Sequence, residues 1–171
     1  MRNTFDRFNG RHQDYQAARP SYAQEFLDWL GELYAPPERY TAADIGSGTG
    51  KLSAQLLAAG FRVCGVEPNP DMRGAAEALL GGDPRFSSSN GTDHDTGLPD
   101  RSVDMVAAAQ AFHWFDGPAF ARECRRILRP GGRAVLVWNV RGPAPVNQAL
   151  AQVFREHCPS FHGFTGGMGE D

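Results

Sequence analysis

Three alternate glycines and a carboxylate downstream of them are the groups of this chain best suited to build a ligand site. In Ala43-Asp44-Ile45-Gly46-Ser47-Gly48-Thr49-Gly50-Lys51 the glycines close a short apolar run. Lacking a Cβ, they let the backbone come close to a ligand at the carboxyl end of a strand. The spacing is G-x-G-x-G; Lys51 stands where the dinucleotide pattern G-x-G-x-x-G has its third glycine, so phosphate is not the expected ligand. Glu67 lies 21 residues past Gly46. An acidic residue at the tip of a second strand can accept hydrogen bonds from both hydroxyls of a ribose.

These groups need elements to position them. Tyr40 to Ile45 reads as a buried strand. Leu52, Leu56 and Ala59 recur at helical spacing up to Gly60, a natural C-cap. Phe61 to Val66 reads as the second strand. Asn69 and Pro70 then start a helix as cap and first residue, carried by Met72, Ala75, Ala76 and Leu79 and stopped at Gly81-Gly82. Arg85 to Ser89 is a short third strand and Ser102 to Ala108 a buried fourth. Gln110 to Trp114 follow at its carboxyl end, which sets His113 and Trp114 at the mouth of the cleft. Asp116 caps a helix whose inward residues are Phe120, Cys124, Ile127 and Leu128. Arg122, Arg125, Arg126 and Arg129 share its opposite face, which either grips an acidic partner or, the preferred reading, is simply solvated. Pro130-Gly131-Gly132 turns the chain into a fifth strand, Ala134 to Trp138. Upstream, Ser21 and Gln24 form a capping box for a helix with Phe26, Leu27, Leu30 and Leu33 on its apolar face, ended by Pro36-Pro37. The sum is an α/β, Rossmann-like, three-layer fold with a parallel sheet in the order 3-2-1-4-5.

Asp44-Ile45-Gly46-Ser47-Gly48-Thr49-Gly50 with Val66-Glu67-Pro68-Asn69 resembles motif I and the acidic partner of the class I S-adenosylmethionine (SAM) methyltransferases. Gly97 to Asp104, Ala111 to Asp116 and Leu128 to Gly132 resemble a small-molecule branch of that class, the type 11-like methyltransferases. The resemblance runs over roughly residues 8–140. It implies a SAM-dependent methyl transfer to a small-molecule acceptor. It puts cofactor contacts at Asp44, Gly46, Ser47, Gly48, Gly50, Glu67, Pro68, Met72, Thr92, Asp93 and Gln110, with Asp93 at the adenine amino group. Tyr15, Arg19, Pro20 and Tyr22 resemble the segment that closes over the cofactor in this branch. There Arg19 either meets the methionyl carboxylate or stands in solvent at a helix boundary. His113 is either a general base or a residue that only shapes the acceptor pocket with Trp114. Met72 covers the adenine or belongs to the core.

Composition sets limits. The chain has 171 residues and a net charge of -3, which gives no electrostatic case for nucleic acid or an anionic membrane surface. No run approaches eighteen apolar residues and the N-terminus is polar, so neither a span nor a secretory signal is expected. Cys64, Cys124 and Cys158 are odd in number and widely spaced, which fits reduced thiols and a cytoplasmic protein. Neither Asp93-His94-Asp95 nor His157-Cys158 with His162 has the spacing of a metal site.

Three segments are expected: a helical cap segment over 1–40, the SAM-binding domain over 41–158, and a mobile glycine-rich tail over 159–171. One more helix, with Ala149, Leu150, Val153 and Phe154, precedes the tail. Nothing after residue 142 reads as the C-terminal strand pair that members of the resembled class normally add. The fifth strand would then present an open edge, which leaves the chain a monomer or pairs it into a homodimer. Two rival functions remain: a SAM-binding module or fragment without turnover, and a nicotinamide dehydrogenase. The glycine spacing and the want of a second nucleotide half count against the latter.

Overall fold

The structure, a computed structural model, describes residues 21–139 together with Gln152, Val153 and Glu156. Tyr15, Arg19, Pro20, most of the helix expected around Ala149 to Phe154, and the tail lie outside the described residues, as does the stretch after residue 142 in which no further strand was expected. The chain divides into two compact units, 1–137 and 138–171. In the second, Gln152, Val153 and Glu156 are helical, and Gln152 Nε2 donates to Glu156 Oε1 at 3.1 Å.

In the first unit the chain runs α1 (Gln24–Leu33), a 3₁₀ turn (Pro37–Arg39), β1 (Thr41–Ile45), α2 (Lys51–Ala58), β2 (Arg62–Val66), α3 (Pro70–Leu80), β3 (Phe86–Ser89) and β4 (Val103–Ala109). A second 3₁₀ turn (Phe112–Trp114), α4 (Gly117–Ile127) and β5 (Leu128–Val137) complete it. The strands form one parallel sheet in the order β3-β2-β1-β4-β5, the expected topology. Short strands with little polar alternation are what such a sheet requires, because helices cover both its faces. Alternate residues divide the core into two layers. Ala42, Val63, Met105 and Ala107 meet Leu30 of α1, Tyr34 at its C-cap, and Leu52, Leu56 and Leu57 of α2. Ala43, Cys64, Val66, Val106 and Ala108 meet Phe120, Cys124 and Ile127 of α4.

Four local expectations change. The N-cap of α1 is Ala23, with no side-chain cap bond, and the Ser21–Gln24 box does not form. Gln24 Nε2 instead donates to Asp28 Oδ1 at 2.9 Å. The reason is tertiary: Gln55 of α2 accepts from the Tyr22 N–H and donates to the Tyr22 carbonyl, both at 3.0 Å, and so fixes where the chain enters the helix. In α3, Leu79 is 52% exposed and Leu80 packs into the core, because Gly50 leaves room there for Leu80.

Leu128 opens β5 rather than closing α4, and β5 begins six residues before Ala134. Its register explains why: Leu128 pairs with Val103 and Arg133 with Met105, so the proline-glycine segment bulges out of the ladder between them. Asp104, opposite the bulge, accepts from the Thr41 N–H at 2.8 Å and from Arg129 at 2.6 Å. The fourth change concerns the arginine face of α4. Arg122 and Arg125 are exposed as expected, but Arg126 and Arg129 are drawn into ion pairs with Glu123, Asp100 and Asp104.

Candidate active site

A cavity of about 230 Å³ opens at the carboxyl ends of β1, β2 and β4. β1 delivers Asp44 at its end, and the chain turns away through Gly46, Gly48 and Gly50, all at positive φ. Gly46 is required by a close approach: a Cβ there would stand 2.8 Å from the Ala111 Cβ and 3.3 Å from the Phe115 ring. At Gly48 a Cβ would meet nothing within 4 Å, so that part of the turn is open. Gly50 has another role. It is the N-cap of α2, with φ +83°, and a Cβ there would meet Leu80 Cδ1 at 2.9 Å and Ala76 Cβ at 3.1 Å. Its glycine admits α3 against α2, and it does not line the cavity.

Glu67 follows β2 and is 9% exposed. Its Oε2 accepts from the Gly48 N–H and its Oε1 from the Asn69 N–H, each at 2.9 Å. Burial pushes its carboxyl above the usual range, against the pull of those two backbone donors and of Arg73. Each oxygen still has lone-pair capacity for a ligand hydroxyl. Behind Glu67, Asn69 caps α3 by accepting from the N–H groups of Asp71 and Met72, and Pro70 takes the first helical position. Asp44 is 1% exposed and accepts from Ser53 Oγ at 2.7 Å. Burial pushes its carboxyl up to about 6, Ser53 holds it down, and the nearby Glu67 raises it further.

The opposite wall comes from the chain after β3 and β4. Asp93 Oδ1 pairs with His94 Nδ1 at 3.0 Å, and its Oδ2 accepts from the Asp116 N–H at 3.0 Å. Gln110 has φ +55°, rare for a residue with a side chain, and its N–H is held by the Val137 carbonyl at 2.8 Å. Such an outlier at the end of a strand facing a cavity points to a functional position.

Of the residues singled out in the sequence, Asp44, Gly46, Ser47, Gly48, Glu67, Pro68, Met72, Thr92, Asp93, Gln110 and Trp114 line one cavity. Met72 is also 3% exposed, so it serves the core as well. His113 is exposed and does not line the cavity; its ring lies 4.9 Å from that of Trp114. Tyr22, from the segment whose resemblance implies closure over the cofactor, lines it too, as do Thr49, Lys51, Leu52, Ala109, Ala111 and Phe115, to which sequence reasoning gave no cofactor contact. Proximity to the glycine turn was an available signal for Thr49 and Lys51. For Ala111 and Phe115 the cue was weaker, since only the fold brings them onto Gly46. Among the described residues no cluster of three histidine, cysteine or acidic groups could hold a metal, and no helix is long and apolar enough to cross a membrane.

A Rossmann-like sheet with a glycine turn after β1 and a buried acid after β2, opening on a cavity at the carboxyl ends of the strands, is a nucleoside-binding arrangement, one that class I SAM-dependent methyltransferases share with nicotinamide dehydrogenases. Comparison with known proteins carries this to a family: residues 43–136 match the methyltransferase domain family. An uncharacterized methyltransferase of Mycobacterium tuberculosis is 42% identical over 127 residues, covering 74% of this chain and 49% of the relative. One from Schizosaccharomyces pombe is 33% identical over 129 residues, covering 75% and 50%. Among solved structures, a candidate type II methyltransferase of Anaeromyxobacter dehalogenans superposes with a TM-score of 0.67 at 36% identity, over 80% of this chain and 57% of that one. A SAM-dependent methyltransferase of Aquifex aeolicus shares the fold, with a TM-score of 0.59 at 19% identity over 76% and 77%. The chain belongs to the methyltransferase domain family. It spans about half the length of the curated relatives it matches.

Proposed function

We propose that this chain binds SAM in the cavity and directs its methyl group to a small-molecule acceptor. The observation that carries the reading is the bond between Glu67 and the Gly48 N–H, which sets a buried carboxylate beside an open glycine turn. Glu67 would hold the ribose, Gly46, Ser47 and Gly48 would pass the ligand along the turn, and Asp44 would meet its amino end. Thr92 and Asp93 would face the adenine, with Met72 and Pro68 as apolar walls. Asp44, Glu67 and Asp93 outnumber Lys51 in the lining, and a negative cavity suits a cationic ligand. When bound, SAM supplies a methyl group already activated by its sulfonium sulfur. The chain then contributes proximity, alignment and exclusion of water.

Trp114 lines the cavity while 48% exposed, which suits a residue at the entrance for an acceptor. One observation favours a SAM-binding module without turnover: His113, for which the sequence left a choice between general base and pocket-shaping residue, does not line the cavity. Turnover with an acceptor whose nucleophile is already deprotonated needs no such base.

The test is a calorimetric titration of the chain with S-adenosylhomocysteine (SAH), run beside NADH. Micromolar binding of SAH alone supports the reading. Binding of NADH alone overturns it in favour of a dehydrogenase, and binding of neither removes the cofactor assignment for this chain.

A further inference from the structure

The chain between β3 and β4 carries Thr92 and Asp93 to the cavity, and α4 holds it at two points. One is the N-cap of α4, where the Asp116 N–H donates to Asp93 Oδ2. The other lies two turns along the helix. Glu123 Oε1 accepts from the Thr96 N–H at 2.9 Å and from the Thr96 hydroxyl at 2.5 Å. Thr96 is 0% and Glu123 7% exposed. Arg126 braces the carboxylate, with Nε on Oε2 at 2.8 Å and Nη2 on Oε1 at 2.7 Å.

Between these two points the loop is a closed unit. A Cβ on Gly91 would stand 2.5 Å from the Thr96 carbonyl oxygen, so the backbones of residues 91 and 96 touch. Inside that neck the Thr92 N–H donates to the Asp95 carbonyl at 2.8 Å, and the Asp95 N–H to Thr92 Oγ1 at 3.1 Å. Ser89 Oγ donates to the Thr96 carbonyl at 2.8 Å, which ties the same residue to the end of β3. Moving Thr96 therefore moves Thr92 and Asp93.

Burying the Glu123 carboxylate costs desolvation, which the 37% exposed Arg126 guanidinium offsets only in part, and an apolar contact of the same volume would dock α4 without that cost. What an apolar contact cannot supply is direction, which hydrogen bonds fix in both distance and angle. We propose that Glu123 is a positioning residue: acting through Thr96, it holds the Thr92–Asp93 turn against the cavity and so sets selectivity for the base of the bound nucleoside. The selectivity part rests on the cofactor reading above; the clamp itself does not.

The experiment has two arms, using Glu123→Gln and Thr96→Val in the full chain. Thr96→Val leaves the Glu123–Arg126 pair intact and serves if Glu123→Gln does not fold. First, amide hydrogen exchange is followed without ligand. The Thr92, Asp95 and Thr96 amides should exchange about tenfold faster, the scale of one charged hydrogen bond, with β1 and β4 unchanged. Unchanged exchange in the turn overturns the clamp. Second, dissociation constants are measured for SAH and for S-inosylhomocysteine, which carries hypoxanthine in place of adenine. The variants should lose most of the parent's preference between the two. Equal weakening toward both ligands, with the ratio kept, marks a merely structural role and overturns the selectivity. A parent chain that binds no SAH overturns the cofactor reading and the selectivity with it, while the exchange arm still decides the clamp.

Discussion

Glu67 and Gly48 lie on different βα connections, yet the carboxylate of one accepts from the backbone of the other at 2.9 Å. The bond draws the open turn after β1 toward the acid after β2. One side chain thus shapes the glycine turn and stands ready for a ligand beside it.

Replacing Glu67 with alanine should weaken SAH by about 1–3 kcal/mol, the scale for losing hydrogen bonds to a charged group. The change also leaves the Gly48 and Asn69 N–H groups without this acceptor. Calorimetry and chemical denaturation on the same sample separate the two losses. Unchanged affinity would remove the ribose assignment.

Gly50→Ala should cost stability. At φ +83° a side chain is strained by about 1–2 kcal/mol, and the new Cβ must displace Leu80 and the α3 backbone at Ala76. Urea unfolding reads the loss as a lower midpoint with an unchanged slope. A neutral result would mean that α3 does not pack on α2 as described.

Acidification should move stability and affinity in opposite directions. Asp44 titrates at about 6 in the fold and near the ordinary aspartate value when unfolded, so the folded state holds the extra proton between those values. Stability therefore rises as pH falls from about 6 toward 4, and Glu67, also raised, adds in the same sense. Glu123, held down to about 2 chiefly by its Arg126 hydrogen bonds, works the other way. Its contribution is lost as pH falls from the ordinary glutamate value through about 2. SAH affinity should fall over the upper window, because protonated Asp44 and Glu67 accept less well. Thermal melts and titrations at pH 5 and 7 check both trends, and Asp44→Asn should flatten the first.

Lys51 is the sole lysine of the chain and lines the cavity. An amine-directed acylating reagent should therefore modify Lys51 beside the α-amino group, and saturating SAH should slow the first reaction only. Peptide mass spectrometry measures the ratio. Equal labelling with and without SAH would place the ligand elsewhere.

What was legible in the sequence was what neighbours along the chain decide. Asn69 and Asp116 cap their helices as read, since a cap bonds to an N–H two or three residues on. The glycine turn and the acid after β2 followed from the same local signals, and the strand order from the succession of βα units together with the family resemblance. What failed depended on distant partners. The Ser21 cap lost to Gln55, 33 residues from the backbone of Tyr22 that it holds. The start of β5 depended on a register irregularity opposite Asp104. Glu123 sat unnoticed within an arginine-rich helix because its meaning lies in Thr96, 27 residues away.

Among the described residues β5 pairs only with β4, although its Ala134 and Leu136 are exposed and its Val135 and Val137 enter the core. A strand apolar on both faces, with one row of backbone groups unclaimed by the sheet, recruits further strands readily. Colloidal behaviour of the isolated 171-residue chain should accordingly be governed by this rim rather than by its net charge of -3. Light scattering against concentration would register it, and Leu136→Lys should raise the solubility limit without touching the cavity.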